Sequence, residues 1–259
     1  MEAKGREGAG LLIDTKMLVL RAVDYKESDR ILTVLTPDLG RVTVKARACR
    51  RKGSRLAAAV QLLTYSEAGL FAYRDHYTLN EAEPLECFWG VRAGVEKLAL
   101  GSYFAESMEA VTGEGESDPA LLSLILNSLY ALDKLDKPLP VVKGAYELKL
   151  MALAGYEPLL EGCAVCGAPE PEEPRFSRTD GLLRCARCAR GTGDALALSP
   201  AVLAAMRHVV YGDPKRLFSF RLEPGEWRQF ARVCEGFLTT QLDRGFRTLD
   251  FYHSLVPAP

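Results

Sequence analysis

The fold of the N-terminal third of the chain is indicated by the stretch TKMLVLRAVDYKESDRILTVLTPDLGRVTVKARA, residues 15–48. It opens with β-forming residues, runs through RILTVLT into the turn sequence PDLG, and ends in the alternating segment RVTVKARA. Two more strand-like segments follow near residues 58–73 and 76–83. Five short strands so close in sequence favour a small closed sheet, because closure leaves no exposed strand edge.

The segment RVTVKARA, residues 41–48, alternates between polar and apolar side chains. Successive side chains of a strand point to opposite faces. One face carries Val42, Val44, Ala46 and Ala48, and the other carries Arg41, Thr43, Lys45 and Arg47. The strand is therefore predicted to bury its apolar face and to present a cationic stripe.

Positive charge continues beyond this strand. Residues 41–55 hold seven basic residues and no acidic one, in a chain whose formal net charge is −1. The seven are Arg41, Lys45, Arg47, Arg50, Arg51, Lys52 and Arg55. One interpretation is a solvated face, but such faces usually mix signs because like charges repel within a Debye length of ~8 Å. A strand and loop of a small barrel instead favour nucleic-acid binding through phosphates, with Lys16, Arg21 and Arg30 as additional candidates.

Aromatic residues on the later strands leave two interpretations open. Phe71 and Tyr73 alternate onto one face, and Tyr65 and Tyr77 lie on the same segments. Exposed rings stack on unpaired bases, whereas buried rings contribute to the core. For each residue taken singly, core packing is slightly favoured.

After Pro84 the hydrophobic periodicity becomes helical. The pairs Asp118–Pro119 and Ser199–Pro200 are typical of helix starts, and Pro140 opens another helix. The sequence thus predicts an α+β protein of two domains. Residues 1–82 form the barrel, and residues 83–259 form a helical domain.

Four of the seven cysteines occur in two tight pairs. Cys163-x2-Cys166 is followed, after eighteen residues, by Cys185-x2-Cys188. This double spacing is typical of a zinc site, and four thiolates leave no open position, so the site is predicted to be structural, with one Zn²⁺ per chain. Two redox-active pairs are the alternative, but the βαβ setting of a thioredoxin-like motif is not visible. The zinc module spans about residues 161–192.

Several classes of protein are disfavoured. The sequence has no phosphate-binding loop, dinucleotide fingerprint, H-E-x-x-H or G-x-S-x-G motif, so no catalytic residue is predicted and an enzyme is not expected. No apolar run is long enough for a membrane span. The start, MEAKGREGAGLLIDTK, lacks a secretory pattern and is expected to be a frayed tail. A cytoplasmic, nucleoid-associated location is therefore expected, with no membrane partner.

The chain resembles the recombination mediator family RecO. The resemblance rests on TKMLVLRAVDYKESDRILTVLTPDLG, on VKARACRRKGSRLAAAVQLLTYSEAGLF, on YTLNEAEPLECF and on the CAVCG and CARC pairs, and it covers about residues 15–251. The family's basic loop usually has glycine-alanine-arginine after a lysine, whereas here Lys45 is followed by Ala46 and Arg47. The prediction is therefore made for the basic cluster as a whole.

The resemblance implies an N-terminal OB-fold, a helical C-terminal domain and an inserted zinc module. It also implies a non-enzymatic role in DNA repair and homologous recombination. Family members bind single- and double-stranded DNA, promote strand annealing, pair with RecR, engage the C-terminal tail of single-stranded-DNA-binding protein and help to load RecA. The alternative from a different class is a protein–protein adaptor whose basic patch binds acidic partner tails.

Overall fold

A computed structural model of the protein describes residues 10–74, 76–191 and 193–256. The predicted frayed tail, up to residue 9, lies outside the described residues. The chain divides into two compact units, of which the first comprises Met1–Trp89 and Phe104–Ser123 and the second comprises Gly90–Tyr103 and Leu124–Pro259. The domain boundary predicted between residues 82 and 83 falls inside a strand that continues to Glu86.

Five strands form the sheet of the first unit. They are β1 (Leu11–Tyr25), β2 (Asp29–Thr36), β3 (Gly40–Ala46), β4 (Tyr65–Tyr73) and β5 (His76–Glu86). The order β1-β2-β3-β5-β4 closes the sheet into a barrel. The β3–β5 pair is parallel, and the other four pairs are antiparallel. The sheet is therefore closed, as the number and spacing of the strands predict.

The alternation of β3 positions the basic residues. Val42, Val44 and Ala46 lie in the buried core of the barrel, so the polar side chains of β3 point outward. The strand ends at Ala46, two residues earlier than the sequence predicts, and Ala48 adopts a positive φ of 51°. The cause is local, because the Ala48 N–H donates to the Asp29 carboxylate at 2.8 Å and so turns the chain away from the sheet.

The helical half of the chain follows the predicted pattern of starts. Its helices are α1 (Trp89–Arg92), α2 (Val95–Val111), α3 (Pro119–Lys134), α4 (Leu139–Leu153), α5 (Pro200–Tyr211), α6 (Pro224–Leu242) and α7 (Arg247–Leu255). Asp118 accepts a hydrogen bond from the Ala120 N–H at 2.8 Å, and Ser199 accepts one from the Val202 N–H at 3.2 Å. Among the described helices, none combines the length and apolar character needed to cross a bilayer.

A small sheet lies between α4 and α5 in the sequence. It consists of β6 (Arg175–Ser177), β7 (Leu183–Arg184) and β8 (Ala195–Ala197), in the order β7-β6-β8. The pairs are antiparallel. In the sequence, Cys163 and Cys166 precede β6, and Cys185 and Cys188 lie between β7 and β8.

The core of the second unit contains a buried ionic network. Lys143 on α4 contacts Glu147 at 2.9 Å and Glu235 at 2.6 Å, and the Tyr103 hydroxyl donates to Glu147 at 2.8 Å. Burial is the main cause that raises the pKa of Glu147 to about 7, although Lys143 and Tyr103 act in the opposite direction. His253 lies 3.1 Å from Glu235, so the network also connects α7 to α6.

Lys143→Met is predicted to lower the free energy of unfolding by about 3–5 kcal/mol at pH 8, because it leaves buried carboxylates without their cation. The loss of unfolding free energy relative to wild type should become smaller as the pH falls from 8 to 6. An unpaired Glu147 has a folded-state pKa further above its unfolded value, so it binds a proton in the folded state and its penalty is relieved. Urea unfolding at both pH values measures the effect. Lys215→Met, at an exposed position, is the control, and an equal loss in both variants would contradict the prediction.

Candidate nucleic-acid interface and metal centre

Asp29, at the start of β2, anchors the beginning of the basic segment, which we define as residues 41–55. Its carboxylate accepts the Ala48 N–H at 2.8 Å and lies 3.6 Å from the Lys45 ammonium group. The Ala48 hydrogen bond, with a smaller contribution from Lys45, lowers the pKa of Asp29. Asp29 therefore stays ionised at neutral pH and fixes the turn that follows β3.

Asp24, near the end of β1, pairs with two arginines. Its carboxylate lies 2.9 Å from the Arg30 guanidinium and 3.2 Å from that of Arg50. Arg50 also donates to the carbonyls of Glu27 at 3.4 Å and Lys26 at 3.5 Å, and its backbone N–H donates to Ser28 at 3.0 Å. Arg50 therefore holds the basic segment against the β1–β2 turn.

Two other predicted cations have partners elsewhere in the first unit. The Arg41 side chain donates from Nε to the Thr112 carbonyl at 2.9 Å. Arg21 pairs with Glu109 at 2.8 Å. The Glu109 carboxylate thus offsets the charge of Arg21, whereas the Thr112 carbonyl fixes the position of the Arg41 side chain without neutralising it.

The remaining four basic residues of the segment are Arg47, Arg51, Lys52 and Arg55, and all are exposed. Within residues 10–74, 76–191 and 193–256, their charged groups make no ion pair and no side-chain hydrogen bond. The prediction from sequence does not distinguish among the seven cations. The structure separates three that hold the segment in place from four whose charge faces solvent.

The barrel also carries an acidic groove, with a volume of about 970 Å³. Its acidic residues are Asp14, Asp38, Glu67, Glu81 and Glu83. Lys16 and Arg55 line the same groove, so these two cations lie among carboxylates. Their effective charge toward an anion is therefore smaller than that of Arg51 or Lys52, which do not line it.

Aromatic side chains occupy the outside of the barrel at two places. Phe71 and Tyr73 are each 41% exposed, whereas Tyr77 packs against the barrel core. Sequence reasoning slightly favoured core packing for each of them, and for Phe71 and Tyr73 this was wrong, because the outer face of β4 is uncovered in the described residues. Tyr25 is a further exposed ring of the barrel, and the strand pattern does not single it out. The sequence DYKESD, residues 24–29, places this aromatic residue among charged residues next to a turn, and that pattern favours an exposed ring.

The four predicted metal ligands converge. The Sγ atoms of Cys163, Cys166, Cys185 and Cys188 all lie within 4.8 Å of one another, and the Cys166–Cys185 separation is 4.0 Å. The first pair lies in a turn where Gly167 has a φ of +73°, and the second pair follows β7. A tetrahedral centre with Zn–S bonds of about 2.3 Å has S–S edges of ~3.8 Å, so small adjustments suffice to hold such an ion.

The electrostatics of the cluster also fit a cation. Burial opposes ionisation of Cys163, but N–H groups of Cys166, Cys185 and Val165 outweigh it and lower the pKa of this thiol to about 6. Hydrogen bonding to Cys185 is the main cause that raises the pKa of Cys188 to about 12. Four sulfurs this close cannot all ionise unless a cation is present to offset their charge.

Comparison with known families covers almost the whole chain. Residues 11–88 match the family described as Recombination protein O N terminal, and residues 92–250 match Recombination protein O C terminal. The two matches meet close to the end of β5, where the first unit passes into helices.

Several curated proteins named DNA repair protein RecO are similar to the chain along its length. The protein from Acetivibrio thermocellus is 31% identical over 244 residues, which cover 94% of this chain and 97% of the relative. The protein from Alkaliphilus metalliredigens is 31% identical over 241 residues, covering 93% and 98%. The protein from Desulforudis audaxviator is 32% identical over 241 residues, covering 93% and 96%. The chain therefore belongs to the RecO family of DNA repair proteins.

Proposed function

We propose that the chain is a non-enzymatic mediator of DNA repair and recombination whose N-terminal barrel binds the backbone of single- and double-stranded DNA. The observation that carries the proposal is the group of four solvent-facing cations, Arg47, Arg51, Lys52 and Arg55. We assign phosphate contacts mainly to Arg47, Arg51 and Lys52, because Arg55 lines the acidic groove. Lys45, Arg50 and Arg41 hold the segment in position.

The distinction between free and paired cations has a physical basis. A free lysine or arginine that meets a phosphate releases condensed counterions from DNA, which favours binding. A cation already paired with a carboxylate gains less, because the new contact replaces an existing one. Backbone contacts of this kind carry no base code, so binding without strong sequence preference is expected.

The barrel topology supports the same assignment. The order β1-β2-β3-β5-β4, with β3 parallel to β5, is that of a five-stranded closed barrel, and we propose that it is an OB-fold. OB-folds bind oligonucleotides on the face of their second and third strands and on the adjoining loops. The basic segment includes β3 and the residues that follow it.

The proposed activity requires no covalent step. Two DNA strands repel one another, and a protein that neutralises phosphates on both lowers the barrier to annealing. We further propose that, together with RecR and through the C-terminal tail of single-stranded-DNA-binding protein, the chain delivers this activity to coated strands and helps to load RecA. These partners are proposed from the family alone.

Arg51→Glu combined with Lys52→Glu is predicted to weaken single-stranded DNA binding by roughly tenfold or more, because two phosphate contacts become repulsions. Fluorescence anisotropy with a labelled oligonucleotide measures the dissociation constant. Annealing of complementary oligonucleotides should slow in parallel. Both side chains are exposed, so the melting temperature should not change.

The matched control is Arg228→Glu with Arg232→Glu, which makes the same charge change at two exposed positions of α6. An equal loss of affinity in the control would show that net charge alone is responsible. Unchanged affinity in the Arg51 and Lys52 variant would refute the assignment of the basic segment.

The same solvent-facing cations also fit an acidic peptide, so the adaptor role remains the second candidate. The two roles differ in one observable. If the segment binds DNA, an acidic peptide and an oligonucleotide compete for it, and the Arg51 and Lys52 variant loses both. If the segment serves only as an adaptor, the peptide binds it while DNA affinity is unaffected by the substitution.

We also propose that the four cysteines hold one structural Zn²⁺. The convergence of the four sulfur atoms and the backbone N–H groups around Cys163 support this ligand set. When bound, zinc would tie the turn that contains Cys163 and Cys166 to the segment that follows β7. Because the protein supplies four ligands, the ion would have no position for a substrate.

Cys185→Ser combined with Cys188→Ser is predicted to reduce zinc content from about one per chain to nearly none and to lower the melting temperature. Hydrogen exchange should increase first within residues 161–192, since metal binding and local folding are coupled there. Metal analysis by mass spectrometry gives the content. Cys87→Ser, outside the cluster, should retain the metal, whereas metal-free wild-type protein purified under reducing conditions would exclude the site.

A further inference from the structure

Tyr25 occupies an unusual position at the end of β1. It is 42% exposed although it belongs to a strand of the closed barrel. The Lys45 ammonium group lies 5.0 Å from the centre of its ring, and that of Lys26 lies 5.5 Å away. An exposed aromatic ring is thus flanked by two cations from different parts of the chain.

Contacts within the first unit fix this ring beside the basic segment. Arg50 donates to the carbonyls of Lys26 and Glu27, which immediately follow Tyr25. Lys45 reaches the ring from β3 while it also pairs with Asp29. The ring and the segment that carries Arg47, Arg51 and Lys52 are therefore parts of one anchored surface.

This combination selects one class of ligand. A lone exposed aromatic residue needs no explanation, and a cationic surface alone binds any polyanion. A ring with cations beside it matches a ligand that joins a flat π-surface to phosphates on either side. An unpaired nucleotide in a single strand has that composition.

We propose that Tyr25 stacks on an unpaired base of single-stranded DNA held by the basic segment. Lys26 is exposed and has a flexible stem, so it turns from the ring to a phosphate next to the stacked base, whereas Lys45 stays paired with Asp29. In a duplex the base faces are already stacked and paired, so Tyr25 contributes nothing there. The inference rests on the proposed DNA-binding function and adds a preference for single strands over duplex.

The test compares Tyr25→Ala with wild type on three probes: a single-stranded oligonucleotide, the duplex of the same sequence, and a single strand in which the bases are replaced by abasic sites. Loss of one stack should weaken single-strand binding about 5- to 150-fold. Affinity for the duplex and for the abasic strand should not change. Tyr25→Phe should retain wild-type affinity for all three probes, because it keeps the ring.

The matched control is Tyr156→Ala, which removes a tyrosine of equal 42% exposure in the second unit and should leave all three affinities unchanged. Unchanged single-strand affinity in Tyr25→Ala, or an equal loss on the abasic probe, would overturn the stacking role. The proposed DNA-binding function has a separate test. It would be contradicted if Arg51→Glu with Lys52→Glu had no effect on the affinity for any probe.

Discussion

Two carboxylates at the ends of neighbouring strands, Asp24 and Asp29, determine how the positive charge of the barrel is used. Asp29 fixes Lys45 and the turn at Ala48, and Asp24 binds Arg50 together with Arg30. Seven like charges on a flexible loop would repel one another and spread apart. With part of that charge neutralised, the segment has a defined path, and its remaining cations point to solvent from fixed positions.

The surface charge of the barrel is divided as well. Asp14, Glu83 and other carboxylates line one groove of the barrel, whereas Arg47, Arg51 and Lys52 follow β3 and do not line that groove. A local excess of one sign of charge steers a polyanion toward that part of a surface. A net charge of −1 therefore does not oppose DNA binding, because the local distribution decides where the phosphates are attracted.

What the sequence predicts well in this protein is local. The alternation of Val42, Val44 and Ala46 identifies the buried face of β3, and the x2 spacing of the cysteines identifies their convergence. Side-chain partners are different, because those of Arg41 and Arg21 lie 71 and 88 residues away along the chain and no sequence periodicity predicts them. The exposure of Phe71 and Tyr73 likewise depends on what covers β4, which its own pattern does not contain. The division into units depends on tertiary contacts as well, since residues 104–123 belong to the same unit as the barrel although they lie far beyond residue 83 in the sequence.

The central claim is that solvent-facing cations, and not all the basic residues of the segment, make the phosphate contacts. The dependence of single-strand affinity on salt concentration tests it most directly, because the slope of log K against log[salt] counts the phosphates that are neutralised. The three contacts of Arg47, Arg51 and Lys52, together with the one that Lys26 adds beside Tyr25, predict a slope near −2.8, at about 0.7 per phosphate. A slope of about −5, as seven contacts would give, or a slope near zero would contradict the account.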